Sequence, residues 1–262
     1  MTWQGAFFGA VLGLLLTHNI LGLLVGALIG RMLTKGAGTS RPASPAVSEV
    51  FFRATFTVMG HIAKSDGRVS ESEIQAARHL MQELKLQAEQ VRFAIDFFRQ
   101  GKATGFDADR QLEELRDACG TRHDLMRVFV ELQLRAAILG NGAAGAAHTI
   151  LSRAAEKLGL SGLEFVHMEA LLRAQYQARA RSQSGATYSR PSALADAYQE
   201  LEVPPSATDQ EVKKAYRRQM SRHHPDKLVA NGLPESMAEV AKEKTQRIQE
   251  AYEAICAARG RR

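Results

Sequence analysis

The sequence predicts an all-α protein with a membrane-spanning helix, a helical bundle and a terminal domain built on a pair of antiparallel helices. Three observations predict it. Residues 7–29 carry no formal charge; residues 48–178 hold no proline and repeat apolar residues at intervals of three and four; near the C-terminus, a basic and an apolar helical stretch flank His224-Pro225-Asp226. Intervals of three and four place side chains on one helical face, and about 20 uncharged residues match the thickness of a bilayer's hydrocarbon core.

The first element runs from Phe7 to Ile29, 23 residues that would extend about 35 Å as a helix. No Lys or Arg precedes it in Met1–Ala6, and the run is longer than a signal-peptide core, so a retained anchor is expected instead of a cleaved leader. Arg31, Lys35 and Arg41 follow it, which puts the short N-terminus outside and the C-terminal bulk in the cytoplasm. Gly5, Gly9 and Gly13, then Gly22, Gly26 and Gly30, recur at four. Such stripes let two helix backbones approach, a candidate homodimer surface, although glycine is common in membrane helices in any case. His18, beside Thr17 and Asn19, is costly in lipid and implies a partner helix or a local interruption.

Residues 32–47 and 179–192 are rich in Gly, Ser, Ala and Pro or in Arg and polar residues, and are expected to be linkers. They divide the chain into an anchor (1–31), a middle domain (48–178) and a C-terminal domain (193–262). Within the middle domain, stripes such as Phe51, Thr55, Val58, Met59 and Ile62, then Ile74, Ala77, Leu80, Met81 and Leu84, and later Leu125, Val128, Phe129 and Leu132, predict helices. Ser70 with Glu73 and Ser161 with Glu164 have capping-box spacing, and Asp66-Gly67 supplies a turn.

The middle domain also repeats weakly at an offset of 74, with Leu84 against Leu158 and Leu86 against Leu160. This arrangement resembles the TerB-like, tellurite-resistance-type helical fold, whose paired acidic turns can hold a metal. Asp66 and Glu73 are present, but Gly140 and Ala147 stand at the corresponding places in the second half. Hard cations want six or more oxygens. No metal is therefore expected, and Asp66 and Glu73 read as a turn residue and a cap.

The net charge of +6 is unevenly spread: +3 over residues 1–47, −1 over 48–177, +3 over 178–192 and +1 over 193–262. An excess beside an anchor and in a linker points to anionic lipid or solvent, not to nucleic acid. The two cysteines, Cys119 and Cys256, lack partners at metal-ligand spacing, so neither a disulfide framework nor a zinc site is expected and a reducing cytosol fits. No cofactor motif, phosphate loop or nucleophile–base set is recognisable, so the chain is not expected to be an enzyme.

The most specific signal lies at the C-terminus. Asp209 to His223 predicts one helix, with Val212, Tyr216 and Met220 inward and Lys213, Lys214, Arg217, Arg218 and Arg222 on or near the other face; Lys227 extends the basic set. Asp209 and Glu211 suit the helix N-terminus. Pro225 ends the helix and forces a turn that presents His224 and Asp226. From Pro234 onward, Met237, Val240, Ala241, Lys244, Ile248, Ala251, Tyr252 and Ile255 trace one face of a long helix suited to antiparallel packing on the basic one. A metal site at His223, His224 and Asp226 would need further convergent ligands, and none is suitably spaced.

The stretches DAYQELEV, EVKKAYRRQMSRHHPDK and KEKTQRIQEAYEAI together resemble a J domain over about 65 residues. Glu202, where glycine is common, and Thr245, where phenylalanine is common, depart from the pattern. The resemblance implies a DnaK-type chaperone as partner. The basic face would steer the domain to an acidic groove, and His224, Pro225 and Asp226 would engage the partner's domain junction and stimulate its ATPase, so that hydrolysis belongs to the partner. Neither a Gly/Phe-rich tract nor CxxC pairs follow. The whole arrangement, including the insertion in HHPDKLVANGLPESMAEVAKEK, resembles the bacterial inner-membrane J-like co-chaperones, and this resemblance implies selected envelope or signalling targets. The alternative is a membrane scaffold acting through the middle domain, with the J-like domain dispensable.

Overall fold

A computed structural model describes residues 45–183 and 190–260. The apolar run 7–29 and the six spaced glycines lie outside them. Among the described residues there are eleven α-helices, one 3-10 helix and no strand, and no helix is long and apolar enough to cross a membrane. The helices are α1 Pro45–Ala63, α2 Glu71–Glu83, α3 Ala88–Gly101, α4 Ala108–Cys119, α5 His123–Asn141, α6 Gly145–Lys157, α7 Gly162–Gln183, α8 Arg190–Glu200, α9 Asp209–His223, α10 Pro225–Asn231 and α11 Ala238–Ala258; the 3-10 turn Glu235–Met237 precedes α11.

Helix α5 is the axis of the middle bundle. From Leu125 to Ala137 every residue but Arg127 is buried, the polar Glu131, Gln133 and Arg135 among them. Around it pack α1, α2, α6 and α7. Helices α1 and α3 cross at two glycines: a Cβ at Gly60 would overlap the carbonyl oxygen of Phe98, and one at Gly101 that of Thr57.

The 74-residue offset is visible in the backbone. Lys85 and Gly159, its counterpart, both take left-handed conformations, φ 52° and 82°. Behind them, the Leu86 N–H donates to Met81 O at 3.2 Å and the Leu160 N–H to Ala155 O at 2.9 Å, so α2 and α6 end in the same closing turn. Gly140, opposite number of Asp66, abuts α2: a Cβ there would lie 2.9 Å from Glu73 Cγ. Glu73 closes a capping box with Ser70 and also accepts from Asn141 Nδ2 at 3.0 Å. Asp66 accepts from the Arg68 N–H at 3.3 Å. Both acidic residues thus have structural roles.

In the C-terminal part, α8 and α9 pack on α11. Their core is Ala197, Tyr198, Leu201, Ala207, Val212, Ile248, Ala251 and Ile255, and Tyr216 stacks on Tyr252 with ring centroids 4.3 Å apart. The buried stripe of α9 is Val212, Ala215, Gln219 and His223; Tyr216 and Met220, expected to lead it, are only half-buried. At its end α9 turns His223 toward Lys244 and Glu131, while Tyr216 and Met220 pack at the edge of the terminal core.

The insertion after the His-Pro-Asp motif belongs to the middle core. Leu228, Leu233, Met237, Val240 and Ala241, each at most 3% exposed, join the cluster built by α1–α7, and Ser48 Oγ donates to Gly232 O at 3.2 Å. Each large apolar side chain so buried contributes about 1.5–3 kcal/mol. Helix α11 therefore serves two cores, its first turns the middle one and Ile248, Ala251 and Ile255 the terminal one.

Candidate functional site

Helix α9 starts at Thr208, whose hydroxyl accepts from the Glu211 N–H while Glu211 accepts in return from the Thr208 N–H at 2.7 Å. It stops at His224, which has extended backbone (φ −61°, ψ 125°) and is at once the C-cap of α9 and the N-cap of α10. Pro225 takes the first position of α10, where a helix makes no use of the missing N–H. The anticipated loop is thus a one-residue joint between two helices, because the proline that ends one also begins the next.

The joint separates two adjacent histidines. The His224 side chain is 50% exposed and that of Asp226 is 90% exposed, with His224 Nδ1 3.9 Å from Asp226 Oδ2. Asp226 sits in the first turn of α10, where the helix dipole favours a negative charge. His223 is buried; burial, with Lys244 beside it, pushes its pKa down to about 3, so it is neutral near pH 7. Among the described residues no group of three His, Cys, Asp or Glu is placed to hold a metal.

Of the six cations predicted to form the basic surface, all but Arg222 are exposed, and Arg218, Arg222 and Lys227 face carboxylates. Asp124, in the first turn of α5, accepts from Lys227 Nζ at 3.0 Å and lies 3.8 Å from Arg222 Nε. Glu202 lies 3.8 Å from both Arg218 and Arg222, and it accepts from Arg127 of α5 at 3.3 Å. Glu202 has φ 56°, the left-handed region that favours glycine; its carboxylate, which a glycine lacks, ties the α8–α9 turn to α5. Thr245 donates to Ala241 O at 3.0 Å within α11.

Behind this surface lies a buried charge network between α5 and α11. Arg135, whose side chain is 2% exposed, pairs with Glu131 and Glu243 at 2.9 Å each. Arg247 donates to Gln175 at 2.7 Å, and Lys244 pairs with Glu200 at 2.8 Å. Burial alone would raise the Glu131 carboxyl, but Arg135, Lys244 and Arg247 outweigh it and hold it down at about 2. Glu243 is likewise held at about 2 by Arg135, Arg247 and Arg179 against its burial. Sequence reasoning missed Asp124, Glu131, Arg135 and Glu243, and marked Glu202 only as a departure from the J-domain pattern. A signal existed for one pair: Glu131 and Arg135 stand four apart inside a run that is otherwise almost wholly apolar.

Comparison with known proteins agrees with the two-part architecture. Residues 196–262 match the family described as DnaJ domain, and residues 52–170 the family described as Tellurite resistance protein TerB. A relative from Coxiella burnetii named Co-chaperone protein DjlA is 42% identical over 267 residues, covering 97% of this chain and 97% of its own. Relatives of the same name from Vibrio cholerae (43% identical, 85% of this chain and 81% of theirs) and Legionella pneumophila (38%, 99% and 96%) are also similar. No solved structure gives a significant match.

Proposed function

The chain belongs to the DjlA family of J-domain co-chaperones, and from that premise we propose that it docks a DnaK-type chaperone and stimulates its ATPase. The exposed cations of α9 bring the partner in, and His224, Pro225 and Asp226 bear on it at the joint with α10. The protein makes and breaks no bond itself: it binds one conformation of the partner better than another, and that difference shifts the partner toward hydrolysis.

One observation carries this reading. His224 and Asp226 stand in solvent at the end of a helix whose outer face is basic, while their neighbour His223 is buried. A residue kept for packing would be turned inward, as His223 is.

The proposal extends to the segments flanking the described ones. Residues 7–29 anchor the chain in the bacterial inner membrane with its bulk in the cytoplasm, and Gly5, Gly9, Gly13, Gly22, Gly26 and Gly30 pair two copies; the stretch 179–192, expected as a linker between domains 48–178 and 193–262, is helical at both ends, where α7 runs to Gln183 and α8 starts at Arg190, and residues 228–241 share the middle core. The length and lack of charge of the apolar run and the basic residues behind it support the topology.

The test is single-turnover ATP hydrolysis by a purified DnaK-type chaperone. His224→Gln should abolish stimulation and leave the circular dichroism spectrum and melting temperature unchanged. Full stimulation by that variant would sink the mechanism. Cross-linking in membranes of wild type against a variant with Gly9, Gly13, Gly22 and Gly26 replaced by Leu checks the pairing; equal dimer in both excludes it.

A further inference from the structure

The middle domain reaches into the face that the chaperone is proposed to use. We propose that Asp124 of α5 competes with the DnaK-type partner for Arg222 and Lys227, so that the middle domain sets how readily the J domain is engaged. This deepens the docking reading and rests on it.

The two cations bracket the motif: Arg222 lies two residues before His224 and Lys227 directly follows Asp226. Asp124 meets both, Lys227 at 3.0 Å and Arg222 at 3.8 Å. Its side chain is 24% exposed, so the carboxylate is partly desolvated, which strengthens its attraction to the cations, yet it remains open to displacement. Lys227 is 44% exposed, within reach of an incoming carboxylate.

What makes Asp124 a persistent competitor is its mounting. Leu228, Leu233, Met237 and Val240 are sunk in the middle core, and Arg135 joins α5 to α11. The segment carrying Lys227 therefore cannot drift from α5. A tethered carboxylate acts at a high effective concentration without any new contact. Glu202 makes the same claim on Arg218 and Arg222 from within the terminal domain, and Arg127 of α5 holds it there. An acidic partner surface must displace these carboxylates before it gains the cations. Lys213, Lys214 and Arg217, further up α9, are exposed and available for first encounter.

The experiment uses the full-length protein in nanodiscs, wild type and Asp124→Asn, with a purified DnaK-type chaperone. Association is followed by stopped flow and stimulation by single-turnover ATPase, each at low and at high salt. Asp124→Asn should associate about threefold faster at low salt, the scale of a partly exposed ion pair, and the gain should fade at high salt. In parallel, the Lys227 amine is acetylated and its labelling rate measured by mass spectrometry, with no chaperone present. That rate should rise in Asp124→Asn. Equal labelling of Lys227 in both proteins overturns the pairing and the inference with it. Equal or slower association of the variant, with its melting temperature unchanged and the wild type stimulating normally, overturns the competition and leaves the docking reading standing. A wild type that never stimulates the chaperone overturns the docking reading, and the inference falls with it.

Discussion

Arg135 donates to Glu243 at 2.9 Å across 108 positions of sequence, so a guanidinium from the centre of the middle bundle neutralises a carboxylate on the last helix. Removing one member of a buried pair leaves the other charged and unpartnered, which costs about 3–5 kcal/mol. Arg135→Ala should lower the stability of the whole chain, but by less than that, because Glu131 keeps Arg247 at 3.8 Å and Glu243 keeps Arg179 and Arg247. Chemical denaturation followed by circular dichroism measures it; a midpoint within experimental error of wild type would contradict the buried network.

Stability should fall on acidification. The buried His223 titrates near 3 in the folded protein against 6.5 for a free histidine, so the unfolded chain takes up the proton first and stability is lost as pH drops from about 6.5 toward 3. Glu131 and Glu243 titrate near 2 against 4.5. Their contribution is complete above about 4.5 and is lost as pH falls toward 2. All three effects have the same sign. Melting temperature recorded between pH 7.5 and 4 should decline steadily, and His223→Gln should flatten the part of the curve nearest neutrality.

Neutralising Lys213, Lys214, Arg217 and Arg218 to Gln should slow chaperone association, with little effect on the rate of dissociation. These side chains are exposed, and exposed charges act mainly through steering, which is screened beyond about 10 Å at 0.1 M salt. The rate of the quadruple variant should depend less on salt than that of wild type. A parallel salt dependence would remove this face from the encounter.

The two thiols should differ sharply in reactivity. Cys119 is fully buried, and burial pushes its pKa up to about 11, whereas Cys256 is half-buried. Because the thiolate is the reactive form, alkylation at pH 7.5 should modify one cysteine quickly and the second only after denaturant is added. Two equally fast thiols would mean that α4 does not pack as described.

Much of this was legible in the sequence, for identifiable reasons. The bounds of α9 follow from Asp209 and Glu211 at its start and Pro225 beyond its end, and the Ser70–Glu73 and Ser161–Glu164 capping boxes close as their spacing implies. Periodicity finds an apolar face only when its neighbours are apolar, and there it failed. Arg135 is buried because Glu243, 108 residues away, joins Glu131 in satisfying it, and no local pattern reports such a partner. The helical nature of the segment after Pro225 was hidden as well, since a proline is compatible with the end of one helix and with the first turn of another.

At His224 the chain steps from one core into the other: Val212 of α9 belongs to the terminal core and Leu228 of α10 to the middle one. The stretch from Leu228 to Met237 looks like a surface insertion of indifferent length, but its phase is locked at both ends. One residue added to α10 would turn Leu228 and all that precedes it by about 100° relative to Leu233 and Met237. The length of this segment is therefore not free: a single added residue would have to rotate His224 and Asp226 relative to the middle core or tear Leu233 and Met237 from their seats.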